Sequence, residues 1–593
     1  MIHAAFDFPC HPLAREDGER VRGAFLAPPE RWLRAHSIEE LGPVLNEAHA
    51  AARAGAWVLG GCRYEAASGF DAALATHSAE GPLAEFAVFE RAPLEWPTQA
   101  PIACRRSSDW RDVQADADEA VAIERVREWI RSGDCYQVNL TTRLAAELAP
   151  GVNLDALFMA LHAAQPGGFS LYLREPGIAS VSPELFFDWR PVPNAQTSWL
   201  LAAQPMKGTA PRGRDRAEDE AAQTYLRTSE KERAENLMIV DLLRNDIGRV
   251  AELGSVRVPR LFELHALSTV WQMTSTVSAV SRPGLKLSEV FAALFPCGSV
   301  TGAPKVRAMQ IIKELEPEAR GWYCGALGLI QPGGAATFNV PIRTVERGAH
   351  ALRYGVGSAI TLDSSAAAEI AEWRAKTRLL TRAQAPIAAL ETLRLEGGKW
   401  LRLEAHLTRL QRTARHFGLR HNPAEVRKAF AAAIRPGTWR GRLTLSVDGA
   451  IDLVVSELPA TPETVILALA DSPVATQGPV AEFLQHKTTR REAYEAFVKP
   501  AGVFDLILWN EAGELTECTI GNIALEIDGR WLTPSTSAGL LPGVMREALL
   551  QEGRITEARL TKDDLARATA LAFFNSLRGW IPARLSAMQE KTC

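Results

Sequence analysis

The feature that most constrains this chain is a break at residues 381–390, where the pattern stops and restarts differently. The stretch TRAQAPIAAL is small and polar and contains Pro386, the composition of a short linker. Before it, from about Trp110 to Leu380, strand-like runs such as GFSLYLR (168–174) and GALGLI (325–330) alternate with amphipathic helical stretches. After it, LETLRLEGGKWLRL reads as a fresh strand with Gly397 and Gly398 at a hairpin turn, and AHLTRLQRTARHFGL as a helix stopping at Gly418. With 593 residues the chain exceeds any single compact domain. The expected division is 1–105 as the N-terminal part of a first unit, 106–382 as its core, 383–390 as linker and 391–593 as a second unit. Residues 1–105 contain helical stretches such as 40–55 but no chemical motif.

Charge and cysteines narrow the class. The formal net charge is −4 with no long run of like charge, so neither a nucleic-acid stripe nor a polybasic membrane anchor is expected. No window approaches the ~18 apolar residues of a membrane span. MIHAAFDFPC carries Asp7 and lacks a basic start, so no secretory leader is expected. Eight scattered cysteines without a CxxC pair fit reduced thiols and a cytoplasmic location.

Two helical segments carry paired acids. In KERAENLMIVDLLRND, Glu232 and Glu235 are three apart and share a face; in AAAEIAEWRAKTRLL, Glu369, Glu372 and Lys376 do the same. Glutamates at this spacing most often form a solvated face. Leu237, Met238, Ile239 and Val240 make the first helix too apolar for that, which puts its acids near a cleft. Carboxylates on two facing helices can hold Mg2+, which keeps waters for an anionic substrate. Glycine-rich loops surround them in QPMKGTAPRG, FPCGSVTGAPKVRAMQII and YGVGSAI, and such loops expose N–H groups that bind carboxylates.

With SPELFF, KGTAPRG, ENLMIVDLLRND, SVTGAPKVRAMQII and GVGSAITLDS in this order, residues 110–380 resemble the chorismate-utilising enzymes. That family includes anthranilate, aminodeoxychorismate, isochorismate and salicylate synthases. The resemblance implies an antiparallel β sandwich flanked by helices, with chorismate as substrate. It implies Glu235 and Glu372 as Mg2+ ligands, supported by Glu232 and Glu369, and Glu184 as the acid assisting departure of the C4 hydroxyl. Arg343, Lys376, Gly357 and Tyr323 would hold the substrate carboxylates, and Thr209 would sit beside the ring. Two positions choose among the reactions. Where the isochorismate and salicylate branch has a lysine that activates water, this chain has Gln137, a neutral amide that cannot act as a base. Where anthranilate synthases read AGT, it reads KGT, as aminodeoxychorismate synthases do. A neutral Lys207 amine could attack C2 and expel the C4 hydroxyl, leaving C4 to ammonia. No GxCxGxQ elbow surrounds any cysteine, so a separate glutaminase subunit is the expected ammonia source.

The last two hundred residues carry Lys487 in QHKTTRREAY, Glu517 in ELTECTIGNIALEIDG, and AGLLPGVMREALLQEG, a loop running into a helix. Pyridoxal phosphate chemistry needs a lysine, an acid opposite the pyridine nitrogen, and a helix N-terminus with an arginine for the phosphate. Separately each feature has a bland explanation; together, over 388–590, they resemble the class IV aminotransferases and most closely their 4-amino-4-deoxychorismate lyase member. The resemblance implies a two-lobed fold, with Lys487 as Schiff-base lysine and Glu517 as pyridine partner. Arg409, the backbone of Val544 and Met545, and Ser576 would bind phosphate, with Leu541 against the ring. Arg490, Arg578 and Thr392 are candidates for substrate contact. Class IV relatives usually pair, so a homodimer through this unit is expected. The chain is shortened before ETLR relative to standalone members, leaving open how the small lobe completes its sheet.

The expected fold is therefore α+β in two units, and the expected function two successive steps: amination of chorismate at C4, then elimination of pyruvate to give 4-aminobenzoate. The rivals are an anthranilate synthase fused to an amino-acid transaminase, and a fusion with one catalytically silent half.

Overall fold

The computed structural model describes residues 1–13, 20–96, 110–147, 153–192, 198–211, 216–266, 270–477 and 480–586. The chain divides into two compact units between Gln384 and Ala385.

The first unit is built on two sheets in which every pairing among the described residues is antiparallel. One begins at the edge Gly302–Ala303, continues through Gln137–Glu147 and Ala351–Ile360, and ends on Ala4–Pro9 and Arg20–Phe25. The other begins at Met206–Pro211 and Val270–Ser281 and ends on Trp57–Cys62, Ala84–Phe89 and Arg31–Ala35. The N-terminal residues thus close the far edges of both sheets. Phe6, Phe8, Phe25, Phe89, Phe169 and Trp322 fill the space between the sheets, with the Phe25 and Phe89 rings stacked at 3.9 Å. Successive side chains alternate between this layer and the outer face, so along Ala84–Phe89 the Phe89 and Ala87 side chains enter it while Phe86 and Val88 pack on the other side, and the whole strand is buried. Helices Asp116–Arg131, Leu154–Ala164, Lys305–Leu315 and Ala366–Ala383 cover the outer face of the first sheet; Ile38–Arg53, Glu230–Gly248 and Leu287–Leu294 cover the second. The two acidic helices therefore belong to opposite sheets.

The second unit has two lobes. The smaller is a four-stranded antiparallel sheet, Lys399–Trp400, Ala389–Glu396, Thr438–Leu445 and Ile451–Glu457, packed on helices Leu403–Phe417 and Pro423–Ala432. Gly397 and Gly398 sit at φ 57° and 77° between paired Glu396 and Lys399, the left-handed turn that a two-residue hairpin requires. The helix Leu403–Phe417 ends where Gly418 takes φ 68°. The open edge left by the shortened start is met from within the unit. Ala389 bridges Thr488, and the Leu390 N–H donates to the Lys487 carbonyl at 3.0 Å. The larger lobe is an eight-stranded mixed sheet, parallel where Val465–Leu469 meets Asp505–Trp509 and Gly579–Leu585.

Candidate active sites in the two units

In the first unit Lys207 lies on the edge strand Met206–Pro211, half-buried, with its carbonyl held by the Asn236 side-chain amide at 3.0 Å. Three carboxylates feel its charge: Glu184, Glu235 and Glu372. Its surroundings are acidic. Glu184 is 3% exposed, follows strand Ile178–Ser182, and is bonded by Ser299 and the Met206 backbone. Burial pushes its carboxyl pKa up, and one of its oxygens has no protein partner. A carboxyl so placed keeps its proton to higher pH than an exposed one, which suits a general acid. Gln137 is fully buried and neither atom of its amide has a protein partner among the described residues, so both can serve a polar ligand.

Arg343 sits at φ 52° and donates to the Gln165 amide oxygen, while the Gln165 Nε2 donates to the Val181 carbonyl at 2.7 Å and so fixes the amide. Burial lowers its pKa, and among the described residues no carboxylate pairs with it, leaving a guanidinium free for an anion. Tyr323 is buried, with its N–H on Glu346 at 2.7 Å and its ring against Gly355, where any Cβ would come within 2.5 Å of it. Lys376 bridges the Gly357 carbonyl at 2.6 Å and Glu372 at 2.7 Å. Thr209 is exposed and bonds Gln272 at 3.2 Å.

The two acidic helices do meet electrostatically. Ser229 and Ser365 cap them, accepting from the N–H of Glu232 and Ala368. Burial and the charges of Glu232 and Glu369 raise the Glu235 pKa against the pull of Lys207. Burial also acts on Glu372, but Lys376 outweighs it and holds that carboxyl low. Glu369 accepts from Ser358, and Glu232 from Tyr225 at 3.4 Å. Leu237 is exposed, so the apolar face of the first helix is carried by Ile239, Val240, Leu243 and Ile247. Among the described residues no three acid, histidine or cysteine side chains converge closely enough to cage a metal ion. Mg2+ needs no such cage: one or two carboxylates, waters and an anionic substrate suffice, and like charges gathered around Glu235 suit it.

In the second unit one cavity of about 400 Å³ collects residues drawn from distant parts of the sequence. Lys487, Glu517, Arg409, Leu541, Val544 and Ser576 all line it, as does Met545. Burial, then Arg409, lowers the Lys487 pKa to about 8. Burial raises Glu517 to about 7, although it accepts the Tyr494 hydroxyl at 2.8 Å and the Leu541 N–H at 2.9 Å. The helix Val544–Gln551 opens toward the cavity with Gly543 as an uncapped N-terminus, leaving backbone donors for an anion. A Cβ at Gly543 would come within 2.1 Å of Asn522 Oδ1 and would have to push that side chain aside. Volume, lysine, buried acid and anion-binding turn fit pyridoxal phosphate.

Arg409 lines the cavity while its Nε and Nη2 donate to both oxygens of Glu391, at 2.9 and 2.8 Å. Arg490 does not line the cavity; it donates to Glu492 and lies over the Phe483 ring, and its neighbour Arg491 faces the site instead. Thr392 and Arg578 do line it, together with Arg440 and Arg442.

Comparison with known proteins separates the two units. Residues 21–382 match the chorismate binding enzyme family, more than half the chain. The chain belongs to that family. Residues 388–585 match the amino-transferase class IV family. Aminodeoxychorismate synthase component 1 of Klebsiella aerogenes is 41% identical over 277 residues, 46% of this chain and 59% of the relative. An anthranilate synthase component 1 of Haloarcula marismortui is 39% identical over 263 residues, 44% of this chain and 52% of the relative. The chain thus spans less than two thirds of the relatives it matches. Anthranilate synthase component I from Streptococcus pneumoniae shares the chorismate-binding fold at 24% identity, with a TM-score of 0.50 over 65% of this chain and 90% of that one. No helix among the described residues is long and apolar enough to cross a membrane.

Some residues of this chorismate-binding enzyme escaped the sequence. Ser299 lies inside the quoted glycine loop, yet its bond to Glu184 joins segments more than a hundred residues apart. Glu391 and His406 were missed although both left a signal. Glu391 shares the core phase of its strand with Ala389, Leu393 and Leu395, and an acid there demands a buried cation. His406 stands three residues before Arg409, on the same helix face.

Proposed function

We propose that this chain makes 4-aminobenzoate from chorismate in two steps, one per unit. The observation that carries the reading is the charge of Lys207 among Glu184, Glu235 and Glu372. Relatives named for amination at C4 and at C2 are nearly equally identical, so overall identity does not choose between them. Lys207 does. Its ammonium first gives up a proton to solvent, and the neutral amine then attacks C2 as Glu184 gives a proton to the departing C4 hydroxyl, which leaves as water. Ammonia then adds at C4, the bond to Lys207 breaks, and 4-amino-4-deoxychorismate leaves. Arg343, Tyr323, Gly357 and Lys376 hold the substrate carboxylates, with Thr209 at the ring and Gln137 offering its amide where a base is absent. Mg2+, held by Glu235 and Glu372 with Glu232 and Glu369 behind them, would neutralise the carboxylate it meets.

In the second unit Lys487 Nζ removes the C4 hydrogen, pyruvate departs from C3, and aromatisation drives the step. Pyridoxal phosphate supplies the electron sink. Glu517 would hold the proton of its ring nitrogen, and Leu541 would pack against the ring. Arg409, Ser576 and the N–H groups of Val544 and Met545 take its phosphate, while Arg440, Arg442 and Arg578 offer cations to the substrate carboxylates. A separate glutaminase supplies ammonia, the second unit pairs two copies, and the enzyme works in the cytoplasm.

The test is product analysis with chorismate, Mg2+ and an ammonium salt after loading with pyridoxal phosphate. 4-Aminobenzoate and pyruvate in equal amounts are expected; 2-aminobenzoate would overturn the reading.

A further inference from the structure

We propose that the buried chain Glu391–His406–Ser576 couples the seating of a phosphate monoester in the second cavity to uptake of a proton by His406. The inference rests on reading that cavity as a phosphorylated-cofactor site. Glu391 and His406 are each 1% exposed, and Ser576 stands at the cavity wall. His406 Nδ1 lies 2.6 Å from Glu391, and Nε2 lies 2.8 Å from the Ser576 hydroxyl. Arg409 grips the same carboxylate through two donors, fixing Glu391 in its ionised form.

Donor accounting then settles the chain. An ionised carboxylate only accepts, so the imidazole donates from Nδ1. A neutral imidazole has no second proton, so Nε2 accepts and Ser576 must donate to it. The one hydroxyl proton of Ser576 is committed to His406, and its oxygen turns lone pairs toward the cavity. A phosphate dianion also only accepts, and the two would repel. Protonation of His406 at Nε2 removes the conflict without moving a heavy atom. The imidazolium donates to both neighbours, and the Ser576 hydroxyl rotates to donate to the phosphate.

Charge points the same way. Glu391 cancels Arg409, so that pair alone offers a dianion little; a protonated His406 adds a cation near the uncapped helix at Val544. The groups facing His406 are Glu391 from the strand, Arg409 from its own helix and Lys487 from across the cavity. Burial disfavours the imidazolium, as do Arg409 and Lys487, while Glu391 favours it. The free site therefore keeps the imidazole neutral until a phosphate arrives.

Calorimetry of the full chain with pyridoxamine 5′-phosphate, which cannot condense with Lys487, tests this. At about pH 8 the probe's phosphate is already a dianion, its second pKa being about 6. Titrations in two buffers of different ionisation enthalpy should reveal uptake of about one proton per site. His406→Gln keeps a hydrogen-bonding amide but cannot titrate, and should lose that uptake and bind more weakly. Ser576→Ala should lose the uptake with His406 intact, an effect that a merely structural role for the histidine would not produce. Pyridoxamine without phosphate should show none. Equal uptake in wild type and His406→Gln, in Ser576→Ala, or with the phosphate-free probe would overturn the coupling alone. Failure of the wild-type chain to bind the phosphorylated probe would overturn the cofactor reading and the coupling together.

Discussion

Of the acids around Lys207, Glu235 and Glu372 are partly exposed and come from two helices on opposite sheets, like charges crowd Glu235, and Glu184 is buried beside a strand end. Around Lys487 the acids are buried and already engaged, Glu391 by Arg409 and His406, Glu517 by Tyr494 and Leu541. The difference separates two ways of building a charged site. The first leaves excess negative charge for a cation and an anionic substrate to complete together. The second pairs its charges internally and uses burial to bring a lysine to about 8 and a glutamate to about 7, near the pH at which protons must move.

The sharpest way to break the comparison is to remove each lysine in turn. Lys487→Ala should cut 4-aminobenzoate formation by about a thousand-fold or more while 4-amino-4-deoxychorismate accumulates. Lys207→Ala should abolish amination but leave conversion of supplied 4-amino-4-deoxychorismate at its normal rate. Chromatography of both products checks each variant. Normal 4-aminobenzoate output from either variant with chorismate would end the two-site scheme.

Next in size is the internal pairing of the second site. Glu391→Ala leaves the Arg409 guanidinium buried without its carboxylate, and such losses cost about 3–5 kcal/mol. Calorimetric melting should show the second unit destabilised by that order. Burial opposes ionisation of Glu391, but Arg409 and His406 outweigh it and hold its pKa at about 2 against an ordinary 4.5. A depressed carboxyl stabilises the fold above its unfolded value. That stability is lost as pH falls from 4.5 toward 2, and the variant should lack this acid limb.

Glu517 carries the opposite sign. Burial raises it from 4.5 to about 7, so the cofactor-free fold prefers the protonated acid and loses stability as pH rises through that interval. Glu517→Gln should therefore stabilise the cofactor-free protein at about pH 8 by on the order of 3 kcal/mol, while lyase turnover falls. A melting temperature that does not rise would mean the acid is more solvated than its 4% exposure implies.

What could be read from sequence follows from how locally each feature is encoded. The Gly397–Gly398 turn and the Gly418 stop depend on a few neighbouring residues, and the fold realises both. Lys487 and Glu517 stand in separate punctuated strings, and the fold brings both into one cavity. The chain Glu391–His406–Ser576 was illegible because its links span 15 and 170 residues, and the second exists only once the two lobes have packed. Arg490 and Arg491 differ by a single position, and which one faces the cavity depends on the turn before Glu492, which pattern alone does not encode. The acidic setting of Lys207 escaped for the same reason, since its neighbours arrive from three different segments.

The smallest effect tests whether the first site also tunes an acid. The Ser299 bond favours the ionised form of Glu184, while burial favours the protonated form and prevails. Ser299→Ala removes a bond worth about 1 kcal/mol, which should lift the Glu184 pKa by less than about one pH unit. A general acid is active while protonated, so the alkaline limb of the amination profile should move upward by that amount. The second step, followed with supplied 4-amino-4-deoxychorismate, should keep its own profile, because none of its groups touches Ser299. An unmoved limb with a slower rate would mean that Ser299 only shapes the loop and that another group supplies the proton.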